Sequence, residues 1–411
     1  MPVLETLALR GLIQQCSARE ALSERLSQSP IVFYVGFDPT ADSFHVGNLV
    51  PIMAMMHLQR EGHVPIAVLG GGTAQVGDPS GKTQIRPMLS VPEIAKNGEA
   101  LQNQLQRYLP LDGTHGLFVN NADWLCGVDY LTFLRTVGRH FKVNEMIRVE
   151  AYRQRLERAE GLSFLEFNYQ LLQAYDFLTL YRRWHCTLQM GGDDQWGNIL
   201  AGIDLIRKVE GVTAYALTFP LLVTATGQKM GKTESGTLWL DARKTSPYDF
   251  YQYWINTDDR DVARFLAYFT LLPMQEIATL TAHGGADLKT AKAILAFEVT
   301  RLAHGLEAAT RSQGASQAAF GHAQGDLSAM PTSTIARIRL QPGLSLVDLL
   351  CEAGLTVSRG AARRLISQGG AYVNGAPMIE VDTMITETYI TDGILLLRYG
   401  KKRYHRIVVT S

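Results

Sequence analysis

The 411-residue sequence is short of several things, and each absence narrows what the chain can be. It holds four cysteines, Cys16, Cys126, Cys186 and Cys351, scattered without the spacing of a metal site or a disulfide framework. A disulfide-stapled scaffold is thereby set aside, no protein-bound metal is expected, and a reducing, cytoplasmic setting is. No leader-like segment and no apolar run long enough to span a bilayer is visible, so no membrane association is expected. Net charge is absent too, with 39 basic residues against 39 acidic ones, so the bulk balance does not announce a nucleic-acid partner. Finally, there is no ordinary P-loop. Gly81-Lys82-Thr83 has the right ending, but the first glycine of GxxxxGK[ST] would fall on Val76, and Gly77 is one residue short. A loop carrying Lys82 and Arg86 towards a phosphate stays open, beside the plainer alternative of two solvated cations.

What is present is enough chain for two or three domains and a large core. The organising stretch is Tyr34 to Leu49, YVGFDPTADSFHVGNL. A short apolar run, Ile31 to Phe33, precedes it as a predicted strand. Leu49 to Arg60 follows as a predicted helix stopped at Glu61-Gly62, and Pro65 to Leu69 as a second strand closed by three glycines. Strand, loop, helix and strand make a right-handed βαβ unit, whose ligands bind past the carboxyl ends of the strands. His45-Val46-Gly47-Asn48 opens the helix, where unpaired N–H groups attract phosphate, and Gly47 leaves room for a flat group near the backbone. A turn with a decorative histidine is the alternative for these four residues alone.

Further along, Leu89–Leu109, Leu131–Gly138 and Glu150–Arg158 are predicted helices and Leu117–Val119 a strand running into Asn120–Trp124. Amphipathic helix is expected before Ile31. Asn168–Trp184 is predicted as a helix buried on much of its surface. Tyr169, Gln173 and Asp176 nevertheless recur at i, i+4, i+7 on one face. A solvent face would more often carry Lys and Glu, so a pocket lining is favoured over a solvated stripe. The Cys186–Met190 strand leads into Gly191-Gly192-Asp193-Asp194-Gln195-Trp196-Gly197-Asn198 and a helix over Ile199–Val209. Asp194 suits a ribose hydroxyl pair; an Asx turn capped by Asp193 is equally open. A strand over Leu217–Val223 runs into Lys229-Met230-Gly231-Lys232-Thr233, two lysines around a flexible pair. Pro247–Leu271 and Thr290–Leu306 are predicted helical, and the polar Arg311–Ser333 stretch is expected to be linker.

The last stretch carries Arg359, Arg363, Arg364, Arg398, Lys401, Lys402, Arg403 and Arg406 against few acids. Ser345 and Ser358 are predicted N-caps of two short helices, Asn374-Gly375 a hairpin turn, and Ile394–Leu397 and Arg406–Val409 a strand pair. Helices presenting arginines beside a small sheet suit an RNA backbone.

Taken together, HVGN and KMGKT resemble the two signatures of class I aminoacyl-tRNA synthetases. Tyr34–Thr40, Gly77-Asp78-Pro79-Ser80, the Tyr169/Gln173/Asp176 helix and Gly191–Asn198 are similar to the bacterial tyrosyl-tRNA synthetase family in particular. The resemblance covers almost the whole chain. It implies an α/β fold: a Rossmann-like parallel-sheet catalytic domain over 1–240 with an insertion at about 125–165, a helical anticodon-side domain over 241–325, a linker over 326–342, and a small α+β RNA-binding domain over 343–411. It implies ATP-dependent attachment of L-tyrosine to tRNA(Tyr), with Mg2+ carried on the ATP phosphates, in a cytoplasmic homodimer joined through the insertion.

The resemblance also assigns residues. Tyr34 and Asp176 would hold the substrate phenol, Asp78, Tyr169 and Gln173 its ammonium, and Gln195 would lie near its carboxylate. Gly36, Asp38, Gly47, Gly192 and Asp194 would meet the adenosine side. Thr40, His45 and Asn48 would face the phosphates, with Lys82, Arg86, Lys229, Lys232 and Thr233 closing over the pyrophosphate. Arg359, Arg363, Arg364, Lys401 and Lys402 would meet RNA. Asn48 stands where the commoner pattern has a second histidine, and Gly231 and Thr233 where it has two serines, which would loosen that loop. The competing expectations are a tryptophanyl enzyme, which needs no phenol-binding pair and usually lacks the tail, and a non-catalytic RNA-binding paralogue. The latter predicts damage at His45, Asp176, Asp194 or the lysines, and none is visible.

Overall fold

The computed structural model describes residues 1–80, 89–157, 161–225, 227, 230–233, 236–283, 285–319, 327–400 and 403–410, with the side chains of 151, 232, 233 and 319 left aside. Lys82, Arg86, Lys229, Lys401 and Lys402 therefore lie outside the described residues, as do the side chains of Lys232 and Thr233. The chain divides into two compact units.

The first unit takes in Met1–Trp239 and Ala267–Met274. Its sheet has six strands: β1 (Gln15–Cys16), β2 (Val32–Phe37), β3 (Val64–Leu69), β4 (Leu117–Asn120), β5 (Cys186–Gly192) and β6 (Tyr215–Phe219), in the order β1-β6-β5-β2-β3-β4. All neighbours pair parallel except β1, which runs antiparallel to β6. The central strands are apolar because helices cover both faces of such a sheet. From β2 the chain steps outward to β3 and β4, then returns to the other side of β2 for β5 and β6. The switch in direction falls between β2 and β5, where an open α/β sheet leaves a crevice.

Three expectations change here. β2 continues through Tyr34–Phe37, which pair with Ile66–Leu69, so the stretch expected to begin as loop at Tyr34 begins as strand. β1 is two residues long, too short to leave a pattern in sequence; it divides the N-terminal helices Val3–Leu9 and Arg19–Gln28. The strand expected over Leu217–Val223 is instead Tyr215–Phe219, ended at Pro220, which has no N–H for a ladder. The expected insertion is a run of short helices between β4 and the Tyr169–Trp184 helix.

Arg10 fastens the N-terminal helix from inside the unit. Only 5% exposed, it donates to the carbonyls of Ala267 and Thr270 at 2.8 Å and of Leu272 at 2.6 Å. Arg10→Leu would leave those oxygens unpaired, at about 1–3 kcal/mol for each buried group. We expect a fall of several degrees in the thermal midpoint, read by calorimetry, and a change under one degree would refute the clamp.

The second unit takes in Leu240–Leu266 and Gln275–Ser411. The helix expected over Pro247–Leu271 is two, Pro247–Ile255 and Val262–Phe269. They are separated where Asp258 accepts from the Arg260 N–H and starts a new turn. The stretch expected to be linker is largely structured. A helix spans Leu306–Ala319, with Ser312, Ala315 and Ser316 buried at helical spacing and the Ser316 Oγ accepting from Gln252 Nε2. Small residues that look like linker composition here permit close helix packing. Within 326–342, Thr332–Ala336 is a strand pairing parallel with Arg406–Thr410. It completes a five-stranded sheet with Ala371–Val373, Ala376–Met378, Ile394–Tyr399 and Arg403–Thr410.

The sheet's two faces differ. One packs on the helices Leu346–Glu352 and Arg359–Ser367; from the other, Tyr404 joins Met330, Tyr248 and Ala315. The basic tail is thus not segregated from the helices before it, because its second sheet face is apolar enough to need a cover. Ser358 caps its helix by accepting from the Ala361 N–H, whereas Ser345 stands at the cap position without a side-chain bond. Asn374 and Gly375 have φ of 48° and 84°, as the predicted hairpin turn requires. Among the described residues, no helix is long and apolar enough to cross a membrane.

Candidate functional site

A cavity of about 570 Å³ opens in the first unit past the carboxyl ends of β2, β3 and β5. Its closed end is framed by Tyr34 on β2, Gln189 beside it on β5, and Asp176 on the Tyr169–Trp184 helix. The Tyr34 hydroxyl is buried and has no hydrogen-bond partner within the described protein, and neither does the Gln189 Oε1. Asp176 accepts from Trp124 Nε1 at 2.7 Å and from Asn121 Nδ2 at 2.9 Å. Burial pushes the Asp176 carboxyl up to about 7 against the pull of those two donors. Burial, then the neighbouring Asp176 charge, holds the Tyr34 phenol well above its usual range. A phenol, a carboxylate and an amide oxygen thus converge in a dry place, and a phenol-bearing ligand would satisfy them.

Two turns earlier on the helix, Tyr169 donates to Asp38 Oδ2 at 3.0 Å, and Thr73 donates to Asp38 Oδ1 at 2.9 Å. Asp78 accepts from Gln195 Nε2 at 2.6 Å and from the Ser80 N–H at 2.9 Å. Gln173 accepts from Asn198 Nδ2 at 3.1 Å. Burial raises Asp78 to about 6, with the Asp38 charge adding to the rise and the Ser80 and Gln195 bonds opposing it. Two carboxylates so close suit a cationic ligand group. Asp38, expected on the adenosine side, instead bridges Tyr169 and Thr73. A Cβ at Gly70 would stand 2.0 Å from its Oδ1, so glycine there is what admits the carboxylate.

The outer part of the cavity is lined by Gly36, Thr40, His45, Gly47, Asn48, Gly192 and Asp194. His45 Nδ1 accepts from the Gly47 N–H and Asn48 Oδ1 from the His45 N–H, a reciprocal cap. The Asn48 amide therefore keeps its donor end for the cavity. A Cβ on Gly47 would meet the His45 ring at 2.9 Å, so glycine there lets that ring lie against the backbone beside the cavity. Gly231 has φ of +82°, its carbonyl accepts from the Leu238 N–H, and a Cβ there would stand 2.6 Å from Val46 Cγ1. The absence of a side chain at Gly231 lets the chain pass close to Val46 of the first signature. Asp193 accepts from Gln15 Nε2 and Thr218 Oγ1, tying β1 to β6, while Asp194 faces the cavity. The Asx-turn alternative is thereby replaced by a tie between strands.

Asn121, Trp124, Thr73, Ser80, Gln189 and Asn198 also bond to or stand among these groups, and the sequence assigns none of them a role. Two signals were present: Asn121 and Trp124 follow the carboxyl end of β4, and Gln189 is a lone amide between Leu188 and Met190 in a buried strand. In the second unit, Arg359, Arg363 and Arg364 are all exposed, and Arg359 also donates to Asp348 at 2.6 Å. Among the described residues, no cluster of metal-ligating side chains occurs.

Comparison with known proteins bears on the same residues. A family model described as tRNA synthetases class I (W and Y) matches residues 26–321, and one for the tyrosine–tRNA ligase SYY-like C-terminal domain matches 323–407. A tyrosine–tRNA ligase of Desulfosudis oleivorans is 51% identical over 100% of this chain and 99% of its own length. One of Desulfatibacillum aliphaticivorans is 50% identical over 100% and 99%. Among solved structures, a C-terminally truncated mitochondrial tyrosyl-tRNA synthetase of Aspergillus nidulans matches with a TM-score of 0.70 at 29% identity, covering 78% of this chain and 94% of that one. The chain therefore belongs to the class I tRNA synthetases of the W and Y family, and within them it groups with the tyrosine–tRNA ligases.

Proposed function

We propose that this chain joins L-tyrosine to its tRNA at the expense of ATP. The observation that carries this is the closed end of the cavity, where the Tyr34 hydroxyl has no protein partner and Asp176 stands opposite with two fixed donors. The substrate phenol accepts from Tyr34 and donates to Asp176. Its ammonium lies among Asp78, Tyr169 and Gln173, and its carboxylate near Gln195. Gly36, Gly47, Gly192 and Asp194 receive the adenosine. Asp38, held by Tyr169 and Thr73, acts on the ammonium side.

No protein base or nucleophile is needed. A carboxylate oxygen of tyrosine attacks the α-phosphorus in line, the bond from that phosphorus to the bridging oxygen breaks, and pyrophosphate leaves with the electron pair. What this demands is positioning and charge placed in advance. Thr40, His45 and Asn48 supply donors, and Lys82, Arg86, Lys229, Lys232 and Thr233 are assigned to the leaving group. Mg2+ would arrive on the ATP phosphates. A hydroxyl of the terminal tRNA adenosine then attacks the tyrosyl carbonyl and releases AMP.

Exposed apolar side chains on the insertion, among them Leu131 at 67% and Phe164 at 69%, support a homodimer formed there. Arg359, Arg363 and Arg364, with Lys401 and Lys402, are assigned to tRNA. Cys16, Cys126, Cys186 and Cys351 are all free thiols, in keeping with a cytoplasmic enzyme.

The test is pyrophosphate exchange into ATP with each amino acid in turn. Exchange should depend on tyrosine; exchange with tryptophan instead would overturn the proposal. The KM for tyrosine should rise about tenfold per unit as pH falls below about 6, because protonating Asp78 removes the charge that meets the ammonium.

A further inference from the structure

We infer that Tyr152, in the insertion and outside the cavity, is a positioning residue for the ammonium-binding part of the site. The inference rests on the roles proposed above for Tyr169, Gln173 and Asp78.

Tyr152 lies on the Glu150–Leu156 helix and is 1% exposed. Its hydroxyl donates to the Phe167 carbonyl at 3.1 Å and accepts from the Gln170 N–H at 3.2 Å. Those two groups flank the junction between the Phe164–Phe167 turn and the Tyr169–Trp184 helix. The first residue of that helix is Tyr169, and Gln173 follows one turn later. A single hydroxyl from another element thus sets where the helix begins and which way its first turn faces. The Tyr152 ring adds to this by lying 5.4 Å from the Phe167 ring.

The same contact reaches the other wall. Gln170 Nε2 donates to the Gly197 carbonyl at 3.2 Å. Gly197 stands between Gln195, which donates to Asp78, and Asn198, which donates to Gln173. The insertion presses on this loop directly as well: a Cβ at Gly197 would stand 2.4 Å from Val149 Cγ1, and Val149 caps the helix that carries Tyr152. Helix start and loop are therefore registered against each other through one phenol. The Tyr34 hydroxyl and Gln189 Oε1, at the far end of the cavity, have no hydrogen-bond partner among the described residues, and Asp176 is bonded to none of these residues directly, reaching Tyr169 through Asn121, Thr73 and Asp38 in turn. Tyr152 should therefore govern recognition of the ammonium and leave recognition of the substrate phenol alone.

The test uses the full chain carrying Tyr152→Phe, which keeps the ring and removes the bridge. In pyrophosphate exchange, the KM for tyrosine should rise about fivefold, the scale of one lost hydrogen bond, with the KM for ATP within about twofold. The decisive readout is competitive inhibition by 3-(4-hydroxyphenyl)propionate, which has the phenol and carboxylate but no ammonium. Its inhibition constant should stay within about twofold of wild type. If inhibitor and tyrosine weaken together, Tyr152 is merely structural and the inference fails; if neither weakens, it fails as well. Gln173→Ala separates this from the underlying site: an unchanged tyrosine KM there overturns the site, whereas a raised one beside an unchanged Tyr152→Phe overturns only the present inference.

Discussion

Asp176→Asn is expected to collapse the preference for tyrosine over phenylalanine while the protein stays folded. In the native chain, phenylalanine would leave both Tyr34 and Asp176 facing a hydrogen where each needs a polar partner. Unpaired buried polar groups cost about 1–3 kcal/mol each, so two of them set discrimination on the order of 10²- to 10⁴-fold. Tyrosyl enzymes are themselves the usual illustration of this rule. Asparagine keeps the shape but presents one acceptor to two donors, Trp124 and Asn121, and offers the substrate hydroxyl no carboxylate. The ratio of kcat/KM for the two amino acids, measured by exchange, should fall by about two orders of magnitude on that same scale. Discrimination at the wild-type level would remove Asp176 from the proposed site.

Stability offers an independent check on the same variant. A carboxyl at about 7 when folded, against an ordinary value near 3.8, binds its proton more tightly in the native state. Its contribution to stability is therefore present below about pH 4 and declines as pH rises towards 7. Asp176→Asn should remove that decline. Denaturant unfolding of the two proteins at pH 4 and pH 7 would show the wild type losing more stability with rising pH than the variant. A parallel pair of profiles would mean that Asp176 is not buried as described.

Ending the chain before Leu327 should leave tyrosine-dependent exchange within about threefold of wild type and reduce tRNA charging by about 100-fold, the scale set by losing several phosphate contacts. The site of the cut matters. A cut before Leu344, where the sequence alone suggests a domain start, would retain Thr332–Ala336 without Arg403–Thr410, its parallel partner. That leaves an unpaired strand edge, a template for aggregation. Either cut removes Tyr404 from beside Tyr248 and Ala315, and the cut before Leu327 removes Met330 as well, so the thermal midpoint should fall somewhat. Charging that survives the truncation would assign the tail another task; exchange that disappears with it would show that the tail supports the first unit.

Much of the site was legible because its chemistry is tied to local sequence. The stripe Tyr169, Gln173 and Asp176 follows from helical spacing alone, and the strand–loop–helix junctions at His45 and Asp194 from strand and glycine patterns. Asn121 and Trp124 were not legible as partners of Asp176, since a bond across about 50 positions leaves no periodicity behind. The partners of Asp38 were hidden for the same reason, Thr73 and Tyr169 being brought to it by the sheet and not by the chain around it. The linker expectation fails because alanine and serine suit both a loose tether and a tight helix seam, and contacts such as Gln252–Ser316 and the packing of Ala315 decide between them.

By itself the sequence determined the order of elements, the faces they bury, and the residue types offered at the ends of strands, because backbone geometry and hydrophobic period act over a few residues. The tertiary structure alone decided which of those residues meet: that Tyr34 and Gln189 stand side by side across the switch between β2 and β5, that Asp193 ties strands while Asp194 faces the cavity, and that one phenol from the insertion aligns two walls of the site. Such meetings depend on strand order and register, and these are fixed by packing over the whole unit.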